Sequence, residues 1–330
     1  MLSGILQLLF NAADTIVVGR FAGNEALAAV GSVGSLNNMI ISLFVGLSIG
    51  VNVLVARFTG AKDAERVCET VHTAVLLSLV GGAVLAVVGF AAARPLLEIM
   101  GSPEDVIDLA ELYIRIIFIG MPVQMLYNFC AAVLRAVGDT KRPLYFLTIA
   151  GVINAGLNLV FVIGCNMSAE GVAIASAIAQ WVSAILIVIH LLRRQDACRL
   201  DMRKLRLHPM AAKRVLMIGI PSGLQNAIFA VANLFVQAGL NSFDEITVSG
   251  AAAAANADTL VFNMMGAFYT ACASFVSRNW GAGHKERITK SYLISMFYAF
   301  AVGSICGGLL LVFGRQFLSL FADKPEVIDA

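Results

Sequence analysis

Ser3, Gln7, Asn11 and Asp14 follow one another at steps of four, four and three residues through an otherwise apolar stretch. A helix carries such residues as one polar stripe, here ending in a carboxylate. An ionisable group inside hydrocarbon costs about 3 kcal/mol on insertion scales, and is kept where it faces a bundle interior or a water-filled path. Desolvation disfavours the charged form of a carboxylate, whereas amide donors or a bound cation favour it, so small movements of its neighbours make it take up or release an ion. Asp14 is therefore the leading candidate for ion coupling.

Other polar residues recur at helical spacings of three, four or seven: Gln124 and Asn128; Asn154 and Asn158; Ser176, Gln180 and Ser183; Ser222, Asn226, Asn233 and Gln237; Asn256, Asn263, Thr270 and Ser274. Taken singly, each has a structural reading, because amides and hydroxyls pair between membrane helices for about 0.6 kcal/mol on average. Several stripes in one bundle favour a water-filled cavity, with Gln7, Asn11, Gln124, Asn128, Gln180, Asn226, Asn233 and Asn263 as its lining. Asp258 reads equally as a functional acid or as an interfacial acid at a helix start.

The elements that must hold these residues are membrane-spanning helices. Hydrophobic residues make up 59% of the chain and charged residues 13%, outside the range of soluble domains. Nine apolar stretches approach the roughly 20 residues needed to cross a bilayer as a helix: 1 to 19, 36 to 56, 72 to 93, 112 to 134, 143 to 164, 170 to 192, 215 to 240, 251 to 277 and 292 to 313. The fold class is thus an all-α polytopic membrane protein. Eighteen of the 23 lysines and arginines lie after the even-numbered spans, and acids such as Glu98, Glu104, Asp105, Asp108 and Glu111 occupy the opposite side. The positive-inside rule places the basic side and the N-terminus in the cytoplasm. The basic run between Arg193 and Arg214 is then a topology signal, not a nucleic-acid site. A first span targets the chain to the membrane without a separate signal. The six cysteines are isolated, without metal or redox spacing.

Shifted by 221 residues, the sequence matches itself: Arg57, Gly60, Ala61, Glu65 and Arg66 fall on Arg278, Gly281, Ala282, Glu286 and Arg287. At a shift of 219, Ser3, Gly4, Phe10, Ala13 and Val17 meet Ser222, Gly223, Phe229, Ala232 and Val236, which equates the first span with the seventh. Six spans separate the copies, so the repeat is parallel, as in transporters built from two like-oriented bundles. The division reads as an N-terminal six-helix lobe over 1–192, a basic cytoplasmic linker over 193–214, and the first three helices of a second lobe over 215–330. The expectation is a fragment of a protein about a hundred residues longer, with three helices of the second lobe still to come. Gly81-Gly82 and Gly307-Gly308 permit close helix approach, and Pro122 and Pro221 could kink their helices.

The run Asp14-Thr15-Ile16-Val17-Val18-Gly19-Arg20, the loop Leu134-Arg135-Ala136-Val137-Gly138-Asp139-Thr140-Lys141-Arg142-Pro143 and the later Gly281-Ala282-Gly283 resemble the multidrug and toxic compound extrusion (MATE) transporters, over essentially the whole chain. The resemblance implies twelve spans in two six-helix lobes. It also implies that Asp14 binds the coupling proton or sodium ion, helped by Asn154, Asn158 and Ser176. Asn158 stands where some members carry an acid, so the site has one carboxylate, which favours a proton over a tightly held sodium. The NorM branch has an acid in span seven, but Pro221 to Asn226 contains none, which leaves coupling to the N-terminal lobe.

The resulting expectation is an antiporter in the plasma membrane that exports amphipathic, cationic drugs or metabolites against protons or sodium. It needs no cofactor, no metal beyond a sodium ion at Asp14, no nucleic acid and no obligate protein partner; lipid is its solvent. The alternative is a flippase for lipid-linked saccharides, which a strongly basic cavity would favour and these spans do not offer. An enzyme finds no support in four histidines at membrane edges or loops. A receptor or scaffold would suit a chain that ends early in the cell.

Overall fold

Backbone amides in hydrocarbon have no water to bond, so each must find its partner inside its own segment. The computed structural model follows that rule: it describes Leu6, Phe10, Asp14 and residues 17–22, 24–99, 104–240 and 245–318, and the secondary structure among them is helical throughout. The helices are α1 (Asn24–Gly60), α2 (Ala64–Ile99), α3 (Glu104–Ala136), α4 (Lys141–Leu159), α5 (Ala169–Arg193), α6 (Pro209–Leu240), α7 (Glu245–Gly281) and α8 (Lys285–Leu318). Seven of the described helices are long and apolar enough to cross a membrane. The first expected span lies largely outside the described residues, and α7 covers the eighth.

The helices outrun the apolar stretches expected from sequence. α1 has 37 residues, about 55 Å at the α-helical rise, and its apolar part begins only at Met39. Backbone pairing continues past the hydrocarbon edge, while hydropathy stops there. Two π-helical turns interrupt the regularity, at Val18–Ala22 and Val160–Gly164, and they pack against one another.

The turns rich in Lys and Arg gather at one end of the bundle, here called the basic end, and the end of α2 and the start of α3 lie at the opposite, acidic end. There Arg94 of α2 reaches Asp108 and Glu111 of α3 at 3.1 Å each, and Arg115 holds the other oxygen of Glu111 at 2.6 Å. The core lies where α1, α2, α3 and α5 meet, around Phe44, Leu54, Phe118, Met121, Phe129 and Ile187. α1 is the shared element: it packs on α2 and α3 on one side and along α6 and α7 on the other. α8 touches α7 and is otherwise exposed.

Two turns of the basic end are built alike. After α1, the amides of Ala61, Lys62 and Asp63 bond the carbonyls of Arg57, Thr59 and Phe58; after α7, those of Ala282, Gly283 and His284 bond Arg278, Trp280 and Asn279. Each pair is offset by 221 residues. Lys62 and Gly283, equivalent positions, both take the left-handed conformation, with φ of 56° and 76°, which costs a lysine more than a glycine.

Candidate functional site

The Asp14 carboxylate meets α4. Its Oδ1 accepts from Asn158 Nδ2 at 2.5 Å. The hydrogen-bonding surroundings orient the Asn154 amide so that its nitrogen donates to the same Asp14 oxygen at 2.8 Å and its oxygen accepts from Ser176 Oγ at 3.0 Å. Asn154 and Asn158 are one turn apart on α4 and both buried, Asn158 completely. Seating the first segment requires room on α4, which Gly151 supplies: the Phe10 ring occupies the space a Cβ there would fill. Among the described residues, Asn158 Oδ1 is buried without a hydrogen-bond partner. An acceptor left over beside a carboxylate can accept from a protonated acid or face a cation. Tyr113 of α3, also buried, stands within electrostatic reach of Asp14. Sequence reasoning missed it, because an aromatic ring in an apolar span reads as core.

The expected cavity residues are dispersed. Gln180, one turn beyond Ser176 on α5, lies against Gly120 of α3, where a Cβ would come 2.8 Å from its Oε1. Gln124 on the same helix keeps a buried Oε1 without a partner, and Asn128 Nδ2 donates to the Gln124 carbonyl at 3.0 Å. Asn226 ties α6 to α1, donating to the Ser42 carbonyl at 3.2 Å. Asn233 on α6 is exposed and Asn263 on α7 half-buried. Ser3, Gln7 and Asn11 lie outside the described residues, as do the side chains of Gln237, Asn256 and Asp258.

The loop after α3 organises the basic end. Gly138 turns the chain at φ 90°, a region open to glycine. Asp139 then receives the Arg142 amide at 3.4 Å, the Arg142 guanidinium at 3.1 Å and Arg194 at 3.4 Å. It thereby ties α4 to the segment leaving α5. Arg194 in turn pairs with Asp196, and its hydrogen bond holds the Asp196 carboxyl below the ordinary carboxylate range. Burial pushes the Cys198 thiol up to about 12. Further on, His72 of α2 accepts the Asp201 amide on Nε2 at 3.1 Å and donates from Nδ1 to the Cys68 carbonyl at 2.7 Å. The segment between α5 and α6 is therefore strapped across α2.

Set beside known proteins, residues 1–160 and 221–330 match the MatE family model. A probable multidrug resistance protein YoeA of Bacillus subtilis (strain 168) is 27% identical over 335 residues, spanning 99% of this chain and 72% of its own. An FAD transporter of Shewanella oneidensis is 26% identical, over 99% and 74%. Among solved structures, the outward-facing conformation of a multidrug resistance MATE family transporter of the MOP superfamily superposes with a TM-score of 0.89 at 25% identity, covering 99% of this chain and 73% of that one. With the family model matching most of its length and a shared arrangement of helices, the chain belongs to the MatE family of membrane transporters and is not an enzyme.

Proposed function

We propose that this protein is a secondary antiporter that exports amphipathic organic cations from the cytoplasm in exchange for protons or sodium ions, by alternating access between two lobes of a twelve-helix transporter. The chain supplies nine of those helices: the six-helix lobe over 1–192, the linker over 193–214, and the start of the second lobe over 215–330. Its basic end faces the cytoplasm of a plasma-membrane protein, as the positive-inside rule requires.

The observation that carries the reading is the Asp14 carboxylate gripped by Asn158 and Asn154, with Ser176 behind them. A carboxylate whose donors sit on another helix loses or gains its ion when that helix shifts. That dependence couples ion to conformation only if the ion binds one conformation better than the other. The unpartnered Asn158 Oδ1 suits either ion, accepting from a protonated Asp14 or completing a shell around sodium. The expected lining residues Gln124, Asn128, Gln180, Asn233 and Asn263, with Gln7 and Asn11, are all uncharged, so that Asp14 sets the charge of the proposed path and favours a cationic cargo. The drug-resistance relatives support export of small organic compounds, and the flavin-nucleotide relative makes FAD a necessary comparison.

The test is efflux from vesicles carrying the full transporter, with a cationic dye or FAD inside and an imposed proton or sodium gradient. Dye efflux driven by one gradient and abolished in Asp14→Asn is expected. Efflux indifferent to Asp14→Asn would move coupling elsewhere, and FAD moving while the dye does not would overturn the cationic cargo.

A further inference from the structure

The two repeat-related turns of the basic end do more than resemble each other: they meet. A Cβ on Gly60, the last residue of α1, would fall on the carbonyl oxygen of Arg278 in α7. A Cβ on Gly281, the last residue of α7, would fall on the carbonyl oxygen of Arg57 in α1 and within 3.0 Å of the Ala61 amide nitrogen. Gly60 and Gly281 are equivalent positions of the internal repeat, as are Arg57 and Arg278. The crossing is reciprocal, with each glycine seated on the carbonyl that closes the other helix's last turn. Backbone stands against backbone there, with no flexible side chain to yield, in the geometry that favours Cα–H to carbonyl contacts.

The close approach continues inward along α6. A Cβ on Gly50 would overlap the Val215 carbonyl and one on Gly46 would overlap Gly223, while Gly219 lies against the Leu47 carbonyl, 2.8 Å from its would-be Cβ. Gly219 is ten residues from the basic start of α6, about 15 Å into the helix. Further along, Asn226 still reaches the Ser42 carbonyl of α1. The backbone approaches between α1 and α6 therefore run inward from the basic end.

We infer that Gly60 and Gly281 are the positioning residues that close the cytoplasmic entrance. Their paired absence of side chains lets α1 and α7 cross at backbone distance, and separating that crossing opens the path inward. The inference deepens the transport reading and rests on it for the word cytoplasmic.

Amide hydrogen exchange on the full-length transporter in detergent or nanodiscs tests it, with Gly60→Ala, Gly281→Ala, the double variant and Gly156→Ala compared. Gly156 is a helical glycine of α4 whose Cβ would meet nothing within 4 Å, so it controls for helix propensity. Exchange in peptides covering 42–60 and 215–226 should rise about tenfold or more in either single variant, since an added methyl at a closed seam is overpacking. The double variant should add little, because one methyl already parts the crossing; two merely local effects would add. Efflux should fall in the same variants, with Gly156→Ala like the parent. Should the variants fail to accumulate, pulsed electron resonance between unnatural-amino-acid spin labels at Lys62 and His284, on the turns beyond the glycines, reads the otherwise unaltered protein. Two distance populations that shift with proton or sodium conditions are expected. Unchanged exchange, additive effects, or a single fixed distance would overturn the closure. Raised exchange in the glycine variants together with a parent that exports nothing would keep the closure and retire the antiport reading.

Discussion

Asn158 does two things at once: its amide nitrogen holds Asp14, and its oxygen is buried with no partner among the described residues. Buried acceptors are nearly always satisfied, and on the proposed reading this one serves an ion that comes and goes. Asn158→Leu keeps the volume and removes both functions. A hydrogen bond to a charged group is worth about 1.5–3 kcal/mol, so a clear loss of ion-driven efflux is expected, with dye binding retained. Binding lost together with efflux would show that Asn158 lines the cargo site instead of the ion site. Much of this cluster was legible in the sequence. The four-residue step put Asn154 and Asn158 on one face of a helix, and the family resemblance set Asp14 and Ser176 beside them. Tyr113 and Gly151 were not legible, because a ring in an apolar span and a glycine in a helix have no periodicity of their own. Their roles exist only once the helices are packed.

At the scale of elements, the segment between α5 and α6 carries a charge-dependent strap. Asp196 takes the Arg194 guanidinium and also accepts the Cys198 amide at 3.2 Å. Its carboxyl is held below the ordinary value by Arg194, so the sign of the pH effect follows. The stabilisation is present above the ordinary Asp value of about 3.9, and is lost as pH falls through the lower folded value. In Arg194→Gln the carboxyl loses its guanidinium and releases the strap at a higher pH than in the parent. Exchange at residues 196–204, corrected for the intrinsic pH dependence of amides, measures this, and identical profiles in parent and variant would remove Asp196 from the strap. The sequence marked this stretch only as basic. Net charge revealed which side of the membrane it prefers, but not that Asp139 and His72, far away in the chain, would fasten it. Such contacts depend on where α2 and α3 end in space. The helices also run past the apolar stretches, α1 most of all, because hydropathy reports the edge of hydrocarbon while backbone hydrogen bonding continues into the interface.

For the whole molecule, the question is what joins the two halves, and α1 belongs to both. The self-match identified Gly60 and Gly281 as equivalent, but equivalence in a repeat does not say that two positions touch; only the assembled bundle shows that. Asn52, 2% exposed about two turns before the end of α1, is the polar counterpart of that glycine seam. Its Nδ2 donates to the Ala132 carbonyl of α3 at 3.2 Å, and its Oδ1 accepts from Ser274 Oγ of α7 at 2.7 Å. One side chain thus spans both halves. Hydrogen bonds between membrane helices average about 0.6 kcal/mol and reach about 1.7. Ser274 keeps a fallback, a bond to the Thr270 carbonyl at 3.1 Å, so losing Asn52 does not strand its hydroxyl. Asn52→Leu and Ser274→Ala should each destabilise the protein modestly, and the double variant by less than their sum, with a coupling of about 0.6 kcal/mol. Thermal unfolding of the four proteins in one detergent closes the cycle. Strict additivity would mean that the bond seen between α1 and α7 contributes nothing, leaving those two helices held by packing. Coupling that appears only under conditions favouring closure at the basic end would mean that the bond breaks when the lobes part, placing Asn52 among the contacts remade in every transport cycle.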